Sequence, residues 1–264
     1  MPDNKVNFDV RERVALITLN AAESKNAIDS ELSQTFIEVC RRINEDDDIQ
    51  VVVLTGAEGV FCAGSKLEQT VASGSSVQDA MAELGEDAGR YELSSVLALI
   101  ERPVIAALNG DALGQGLEIA LACDIRIAVQ GMKLGFPTVA LGLMPMDGGT
   151  QRLPRLIGKA RALELILGGN TIDAQQALDL GLLSQLVPES ELLDKAMAMA
   201  RAMASKAPIS LRYVKEAVNK GMDLTLDQGI RLEADLYFLI HTTEDRTEGI
   251  RAFQQKRKPE FKGK

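Results

Sequence analysis

The sequence is poor in the residues on which most metal sites and nucleophilic triads depend. It holds one histidine and three cysteines among 264 residues, no tryptophan, and only 4% aromatic residues. Cys40, Cys62 and Cys123 lack the spacing of metal ligands and cannot all pair with one another, which favours a reducing compartment. The single histidine, His241, lies just before a predicted helix cap. A histidine-dependent triad would therefore have to use His241, and a histidine-rich metal site is excluded. We expect no bound metal.

An excess of basic charge and a long apolar run are also absent. The net charge is −9, so the chain lacks the dominant basic face that a nucleic-acid partner requires. No apolar stretch reaches the ~20 residues of a membrane span, and the N-terminus has no secretory signal pattern. We expect a soluble, cytoplasmic protein without a nucleic-acid or membrane partner.

What remains is a pattern of short apolar runs that alternate with helical periodicity. The apolar runs predict strands over residues 14–19, 51–55, 104–108 and 125–129. Apolar spacing and capping residues predict helices over residues 29–44, 91–100, 115–123, 190–206 and 244–255, and another that starts at Pro208. Thr171 and Asp173 are expected to cap a further helix, and the pattern from Arg152 onward is helical. Residues 68–90, which are small and polar, predict a mobile, partly helical flap. The fold class is therefore α/β with a helical C-terminal region.

Two glycine-rich turns follow buried strands, an arrangement also found in nucleotide-binding proteins. The first turn ends in Ser65 and Lys66, the reverse of the order in a phosphate-binding P-loop. The second has Ile119 where a dinucleotide fingerprint needs its third glycine. Glycines also let main-chain N–H groups turn into a cleft, here at Ser65 and Gln115. Two such donors form an oxyanion hole, in which each donor contributes about 3 kcal/mol to transition-state stabilisation.

Glu118 lies one helical turn beyond Gln115, in an otherwise apolar predicted helix. A carboxylate in that position can serve as a general acid/base with a raised pKa. The same spacing also fits a glutamate that pairs with an arginine or faces water. The spacing alone leaves both interpretations open.

Several blocks of the sequence resemble the crotonase (enoyl-CoA hydratase/isomerase) superfamily. Residues 61–67 read FCAGSKL and resemble its F-x-A-G-x-D-L loop, and residues 109–124 read NGDALGQGLEIALACD and resemble its N-G-x-A-x-G-x-G-x-E-L-A-L-x-C-D segment. Further matching blocks follow in the family's order at residues 134–137, 148–154, 174–183 and 248–261. The resemblance therefore extends over nearly the whole chain.

This resemblance implies a crotonase-type ββα spiral core over residues 1–195 and a helical C-terminal oligomerisation region over residues 196–264. It implies an acyl-CoA thioester substrate, reactions through a thioester enolate, and no cofactor other than the coenzyme A of the substrate. It further implies a homotrimer or a hexamer built as a dimer of trimers.

The resemblance also assigns expected roles to single positions. The oxyanion donors are the main-chain N–H groups of Ser65 and Gln115, and the acid/base is Glu118. The expected contacts to the CoA thioester lie at Lys25, Ala27, Ala63, Lys66, Leu67, Gly114, Thr138, Phe261 and Lys262. Phe261 and Lys262 belong to a C-terminal tail, which is expected to reach a CoA bound to the same subunit or to a neighbouring one.

Two departures from the family pattern affect the expected chemistry. Lys66 replaces the usual aspartate of the first loop, and Thr138 stands where hydratases carry a second glutamate. Threonine is neither an acid nor a base near neutral pH, although it can hold a water by hydrogen bonds. Asp147 is a candidate substitute for that carboxylate, with capping of the following helix or turn as the alternative.

The expected activity is hydration of an enoyl- or dienoyl-CoA, including cyclic dienoyl thioesters. The alternatives are double-bond isomerisation, in which one carboxylate moves a proton without adding water, and thioester hydrolysis. A homologue that binds acyl-CoA without turnover is the contrasting class.

Overall fold

The computed structural model describes residues 5–66, 73–74, 76 and 92–264. Leu67 lies outside this part of the chain. So does the flap expected at residues 68–90, except for residues 73, 74 and 76.

Nine strands form two sheets in the described residues. The strands are β1 (Val6–Arg11), β2 (Val14–Leu19), β3 (Val51–Gly56), β4 (Val104–Leu108), β5 (Ala112–Leu113), β6 (Ile125–Val129), β7 (Lys133–Gly135), β8 (Thr171–Asp173) and β9 (Gln185–Val187). The larger sheet has the order β1-β2-β3-β4-β6-β9 and is parallel except for the β1–β2 pair. The smaller sheet has the order β5-β7-β8, with β5 and β7 parallel and β7 and β8 antiparallel.

Ten α-helices lie in the same part of the chain. They are α1 (Ser30–Glu45), α2 (Leu93–Ala98), α3 (Gln115–Ala122), α4 (Gly149–Ile157), α5 (Lys159–Gly168), α6 (Ala174–Asp179), α7 (Leu192–Ala204), α8 (Pro208–Gly221), α9 (Leu226–Ile240) and α10 (Glu244–Gln254). Three 3₁₀ turns cover Ala22–Ser24, Pro137–Leu141 and Glu189–Glu191. None of these helices combines the length and the apolar character that a membrane crossing needs.

The buried core lies on the larger sheet because its central strands are apolar on both faces. Every residue of β3 and β4 is buried, as expected for parallel strands covered by helices. On one side, α1 buries Leu32, Phe36 and Ile43, and the Asp29 carboxylate caps it by accepting from Leu32 N–H at 3.0 Å. The predicted start of this helix is confirmed.

The chain passes repeatedly from the larger sheet to the smaller one. After β3 it reaches an isolated parallel bridge between Cys62 and Ala112, after β4 it forms β5, and after β6 it forms β7. In the bridge, Cys62 N–H donates to Asp111 O and Leu113 N–H donates to Cys62 O, both at 3.1 Å. The two glycine-rich turns are thereby joined directly to each other.

Some helical predictions for the second half of the chain are wrong in detail. The region after Arg152 is not uniformly helical, because it contains β8 and β9. Thr171 lies in β8 and caps no helix, whereas Asp173 caps α6 by accepting from Gln176 N–H at 2.8 Å. Strands of three residues are too short to show an alternating pattern, which is why the sequence did not reveal them.

The predicted helical C-terminal region is present as α7 to α10. The expected boundary between residues 195 and 196 falls inside α7, whose Ala196 and Ala200 are fully buried. Helix α7 packs against strands of the larger sheet. The division into a core and an oligomerisation region stays a prediction.

Gly116, in the first turn of α3, allows the two glycine-rich turns to approach closely. A Cβ at this position would lie 2.3 Å from the main-chain oxygen of Cys62, which cannot move without breaking the bridge. We expect Gly116→Ala to lower the free energy of unfolding by about 1–3 kcal/mol through overpacking, measured by denaturant unfolding.

Gly221→Ala is the matched control for this substitution. Gly221 is also helical, at the end of α8, but a Cβ there would meet no atom within 4 Å. We expect this variant to be as stable as the wild type or more stable, because alanine has the higher helix propensity. Equal stability of the two variants would contradict the close packing of the turns.

Candidate active site

The first glycine-rich turn is fastened to the segment that precedes α1. Ile28 N–H donates to Gly64 O and Lys66 N–H donates to Ile28 O, both at 2.9 Å. These bonds define a parallel bridge between Ile28 and Ser65. In such a bridge the N–H of the central residue points away from the partner segment, so Ser65 N–H is directed to the opposite side from Ile28.

Gln115 lies in the second glycine-rich turn, which the Cys62–Ala112 bridge joins to the first. Ser65 lies three residues after Cys62, and Gln115 lies three residues after Ala112, the other half of the parallel bridge. Both residues are buried. Gln115 is the first residue of α3, and hydrogen bonds within this helix begin with Leu117 N–H on Gly114 O at 3.0 Å. The main-chain N–H of Gln115 therefore lies at the positive end of the helix dipole.

Gly114 sets the direction in which α3 starts. Its φ of +50° and ψ of −125° form a conformation that side-chain-bearing residues rarely adopt. Its N–H donates to Gly135 O at 2.9 Å, which anchors the start of the helix to β7.

Glu118 is a buried carboxylate whose position is set by main-chain groups. Its Oε1 accepts from Asp147 N–H at 2.8 Å and from Gly149 N–H at 2.7 Å. Burial raises the pKa of Glu118 to about 7, although these two hydrogen bonds and the charge of Arg152 act in the opposite direction. The sequence left open a glutamate that faces water or pairs with an arginine. Glu118 does not face water, because it is buried, and it forms no ion pair among the described residues.

Gly149 allows the main chain to approach both Glu118 and an aromatic ring. A Cβ at this position would lie 2.9 Å from Glu118 Oε1 and 2.7 Å from Cζ of Phe136. Glu118, Gly149 and the buried Phe136 therefore meet at one point.

Asp147 contributes its N–H to Glu118 and its carboxylate to a different helix. The Oδ2 atom accepts from Ser94 N–H at 2.6 Å, in the first turn of α2. The sequence analysis considered capping of the following helix or turn, but the helix that Asp147 caps precedes it in the chain. Burial raises the pKa of Asp147, while the Ser94 hydrogen bond and Arg152 lower it.

Arg152 completes this arrangement from α4. Its Nη1 donates to Asp147 O at 2.7 Å, and its Nη2 donates to Ser94 O at 3.5 Å. The sequence analysis gave Arg152 no site role, since a single arginine in a helix carries no spacing signal. Its effect here is to hold the loop that supplies both N–H donors to Glu118.

Thr138 is buried, with 1% of its surface exposed, on the 3₁₀ turn Pro137–Leu141. Its main-chain oxygen accepts from Leu143 N–H at 3.1 Å. Its hydroxyl Oγ1 has no hydrogen-bond partner in the part of the chain that the structure describes.

The residues expected to contact CoA are only partly brought together. Ala63 N–H donates to Lys25 O at 3.0 Å, and Ala27 follows in the same segment, so these residues and the exposed Lys66 lie around the first turn. Lys25 adopts the left-handed conformation, with φ of +54°. The expected contact at Leu67 lies outside the described residues.

Asn26 is a residue of this region to which the sequence analysis gave no role. It is fully buried, and its Nδ2 donates to Val60 O at 2.8 Å and Phe61 O at 3.0 Å. Its Oδ1 accepts from Ala21 N–H at 2.7 Å. Asn26 thus links the segment before α1 to the first turn, and its left-handed φ of +53° is one that asparagine tolerates.

Phe261 and Lys262 lie at the opposite end of the larger sheet from the two turns. Phe261 O accepts from Arg13 Nη1 at 3.4 Å, and Arg13 O accepts from Gln50 N–H next to the start of β3. The first turn follows the other end of β3, about 20 Å away for a strand of this length. Lys262 N–H is bound by the Asp245 carboxylate at 2.7 Å. Within one chain, the tail therefore does not reach the site.

Comparison with known proteins agrees with this architecture. The family model described as Enoyl-CoA hydratase/isomerase matches residues 9–264. The chain is 39% identical over 254 residues to 2,3-dehydroadipyl-CoA hydratase of Escherichia coli strain K12, covering 96% of this chain and 97% of that one. It is 39% identical over 259 residues to (E)-benzylidenesuccinyl-CoA hydratase of Thauera aromatica, covering 98% and 99%.

A solved structure gives the same result for the fold. The crystal structure of an enoyl-CoA hydratase from Bacillus anthracis matches with a TM-score of 0.90 at 38% identity, covering 98% of this chain and 100% of that chain. The resemblance seen in the sequence blocks is confirmed, and with it the crotonase fold. The chain is an enzyme that belongs to the enoyl-CoA hydratase/isomerase family.

Proposed function

We propose that this enzyme adds water to the Cα=Cβ bond of an enoyl-CoA thioester through a thioester enolate. The observation that carries the proposal is Glu118, a buried carboxylate with a pKa raised to about 7, held one helical turn beyond Gln115. A carboxyl group with a pKa near the working pH transfers protons efficiently in both directions.

The two glycine-rich turns supply the stabilising half of the mechanism. Ser65 N–H and Gln115 N–H donate to the thioester oxygen as it gains negative charge, and the dipole of α3 adds to this effect. Both donors belong to the main chain of turns that the Cys62–Ala112 bridge joins to each other. They need no reorganisation when the charge develops.

The segment before α1 and the first turn provide a surface for the CoA part of the substrate. We infer contacts at Lys25, Ala27, Ala63 and Lys66, and also at Leu67 and Gly114. The cationic side chains suit the CoA phosphates, and the main chain suits the adenine and the pantetheine amides.

The acyl group is proposed by class only. The substrates are straight or cyclic enoyl and dienoyl thioesters, in keeping with the relatives named for 2,3-dehydroadipyl-CoA and (E)-benzylidenesuccinyl-CoA. A panel of such thioesters, followed by loss of the enoyl absorbance and by mass spectrometry for the added water, tests this class. Cleavage of a β-keto acyl-CoA without hydration of any panel member would move the assignment to hydrolysis.

Double-bond isomerisation is a second candidate, favoured by Thr138 in place of a second carboxylate. One carboxylate can move a proton between the α and γ carbons without adding water. A β,γ-enoyl thioester converted to its α,β isomer, with no hydroxyacyl product, would favour this reaction over hydration.

We also propose assembly into a homotrimer or a dimer of trimers. Helix α9 exposes Leu226, Ile230 and Tyr237 along one stripe, with 78%, 55% and 59% of their surfaces accessible. Another subunit that covers this stripe could also bring a tail bearing Phe261 and Lys262 to a CoA. Light scattering of the full chain should give three or six times the mass of one chain. A monomer at micromolar concentration would contradict the assembly.

The protonation state of Glu118 predicts how the rate depends on pH. Hydration needs the ionised carboxylate, which is formed as the pH rises through the pKa of about 7. We expect kcat/KM to rise through pH 7 and then level off. Glu118→Gln should lower kcat by at least about 100-fold and abolish this pH dependence. An active Glu118→Gln variant, or a rate that falls through pH 7, would remove Glu118 from this role.

Removing the charge of Asp147 should shift the pH profile of kcat/KM. Its negative charge raises the pKa of Glu118, so Asp147→Asn should move the rising limb of kcat/KM to lower pH by about half a unit or more. Asparagine can still accept from Ser94 N–H, and the main-chain N–H to Glu118 remains.

Asp173→Asn is the control, because Asp173 caps α6 in the same way but does not belong to the loop that donates to Glu118. Its profile should match that of the wild type. A limb that Asp147→Asn leaves unmoved would show that Asp147 acts only as a helix cap. A rate lowered by orders of magnitude, with the rising limb of the remaining activity unshifted, would support the direct acid/base role for which the sequence makes Asp147 a candidate.

A further inference from the structure

The hydroxyl of Thr138, two residues after the Phe136 ring that approaches Gly149, is a buried polar group that no described residue bonds. Its side chain is almost fully buried, and Oγ1 has no hydrogen-bond partner among the described residues. Buried polar groups in folded proteins are nearly always bonded to protein atoms or to a bound water. Since no described residue bonds this hydroxyl, a bound water is the partner that fits it best.

The position of Thr138 connects it to Glu118 through β7. Gly135, the last residue of β7, accepts the N–H of Gly114 at 2.9 Å, directly before α3. Phe136 then contacts the point where Gly149 approaches Glu118. Thr138 follows two residues later, on the 3₁₀ turn Pro137–Leu141.

We propose that Thr138 holds the water that adds to the β-carbon, so that Glu118 carries out both proton transfers alone. This inference rests on the proposed hydration. A threonine hydroxyl donates one hydrogen bond and accepts others, so it can orient a water, but it cannot take the proton of that water near neutral pH. That proton must therefore go to a carboxylate, and among the described residues we assign this role to Glu118.

The electron and proton balance closes with one carboxylate. The water oxygen forms a bond to Cβ while ionised Glu118 takes one of its protons, and the Cα=Cβ electron pair moves to give the enolate at the thioester oxygen. The enolate then reforms the carbonyl as Cα takes the proton from Glu118. One water is added, and Glu118 returns to its ionised form.

Thr138→Val tests this role because valine has nearly the same shape and lacks the hydroxyl. We expect kcat for hydration to fall by about 100-fold, the loss typical of a misplaced reactant, with KM changed less than about threefold, since the acyl-CoA contacts remain. The variant should be about as heat-stable as the wild type, because valine fills the same space and the hydroxyl bonds no described residue that would lose a partner. Exchange of α-protons of a saturated acyl-CoA with D₂O should persist, because it needs Glu118 but no added water.

Two further variants make the result specific. Ser33→Ala removes another buried hydroxyl without a partner among the described residues, in α1, and should leave hydration unchanged. Thr138→Ser keeps a hydroxyl and should retain most of the hydration rate, which also tests the role if Thr138→Val does not fold.

The possible failures are distinguishable. Unchanged hydration by Thr138→Val would overturn the role of Thr138 and leave the proposed function intact. A raised KM with unchanged kcat would place Thr138 against the acyl group and also overturn it. A wild-type enzyme that exchanges α-protons but hydrates no thioester in the panel would remove both proposals.

Discussion

Two main-chain N–H groups, from Asp147 and Gly149, meet one oxygen of Glu118 in a buried place, and the other features of the site depend on this contact. The contact fixes the direction of the carboxylate, while burial keeps its pKa near neutrality. It requires glycine at position 149, because a Cβ there would collide with Glu118 and Phe136. It also requires the loop before α4 to stay in place, which the Arg152 guanidinium achieves by bonding the main-chain oxygens of Asp147 and Ser94.

The site retains features that reduce the stability of the folded chain. Glu118 ionises in a place where its charge is poorly solvated, and Thr138 buries a hydroxyl without a partner among the described residues. The scaffold around them offsets this cost with fully buried strands and with the bridge between Cys62 and Ala112. Such exceptions to local stability are common where a protein performs chemistry.

Much of the fold could be predicted from the sequence, because the larger sheet is built from apolar runs and α1 from a capped, regularly spaced helix. The strands of the smaller sheet have two or three residues each and show no periodicity, so they were missed. The pairing of Gln115 and Glu118 on one helix is local and could be predicted. The link from Asp147 to α2 joins residues 53 positions apart, and the placement of Arg152 is set by the same fold, so neither has a local signal.

A crystal structure of the full chain with a saturated acyl-CoA bound tests the central claim most directly. We predict the thioester oxygen about 3 Å from the main-chain nitrogens of both Ser65 and Gln115. We also predict that the α-carbon faces the Glu118 carboxylate and that a water lies on the Thr138 hydroxyl, toward the β-carbon. A thioester oxygen bound elsewhere, or an α-carbon out of reach of Glu118, would contradict this arrangement.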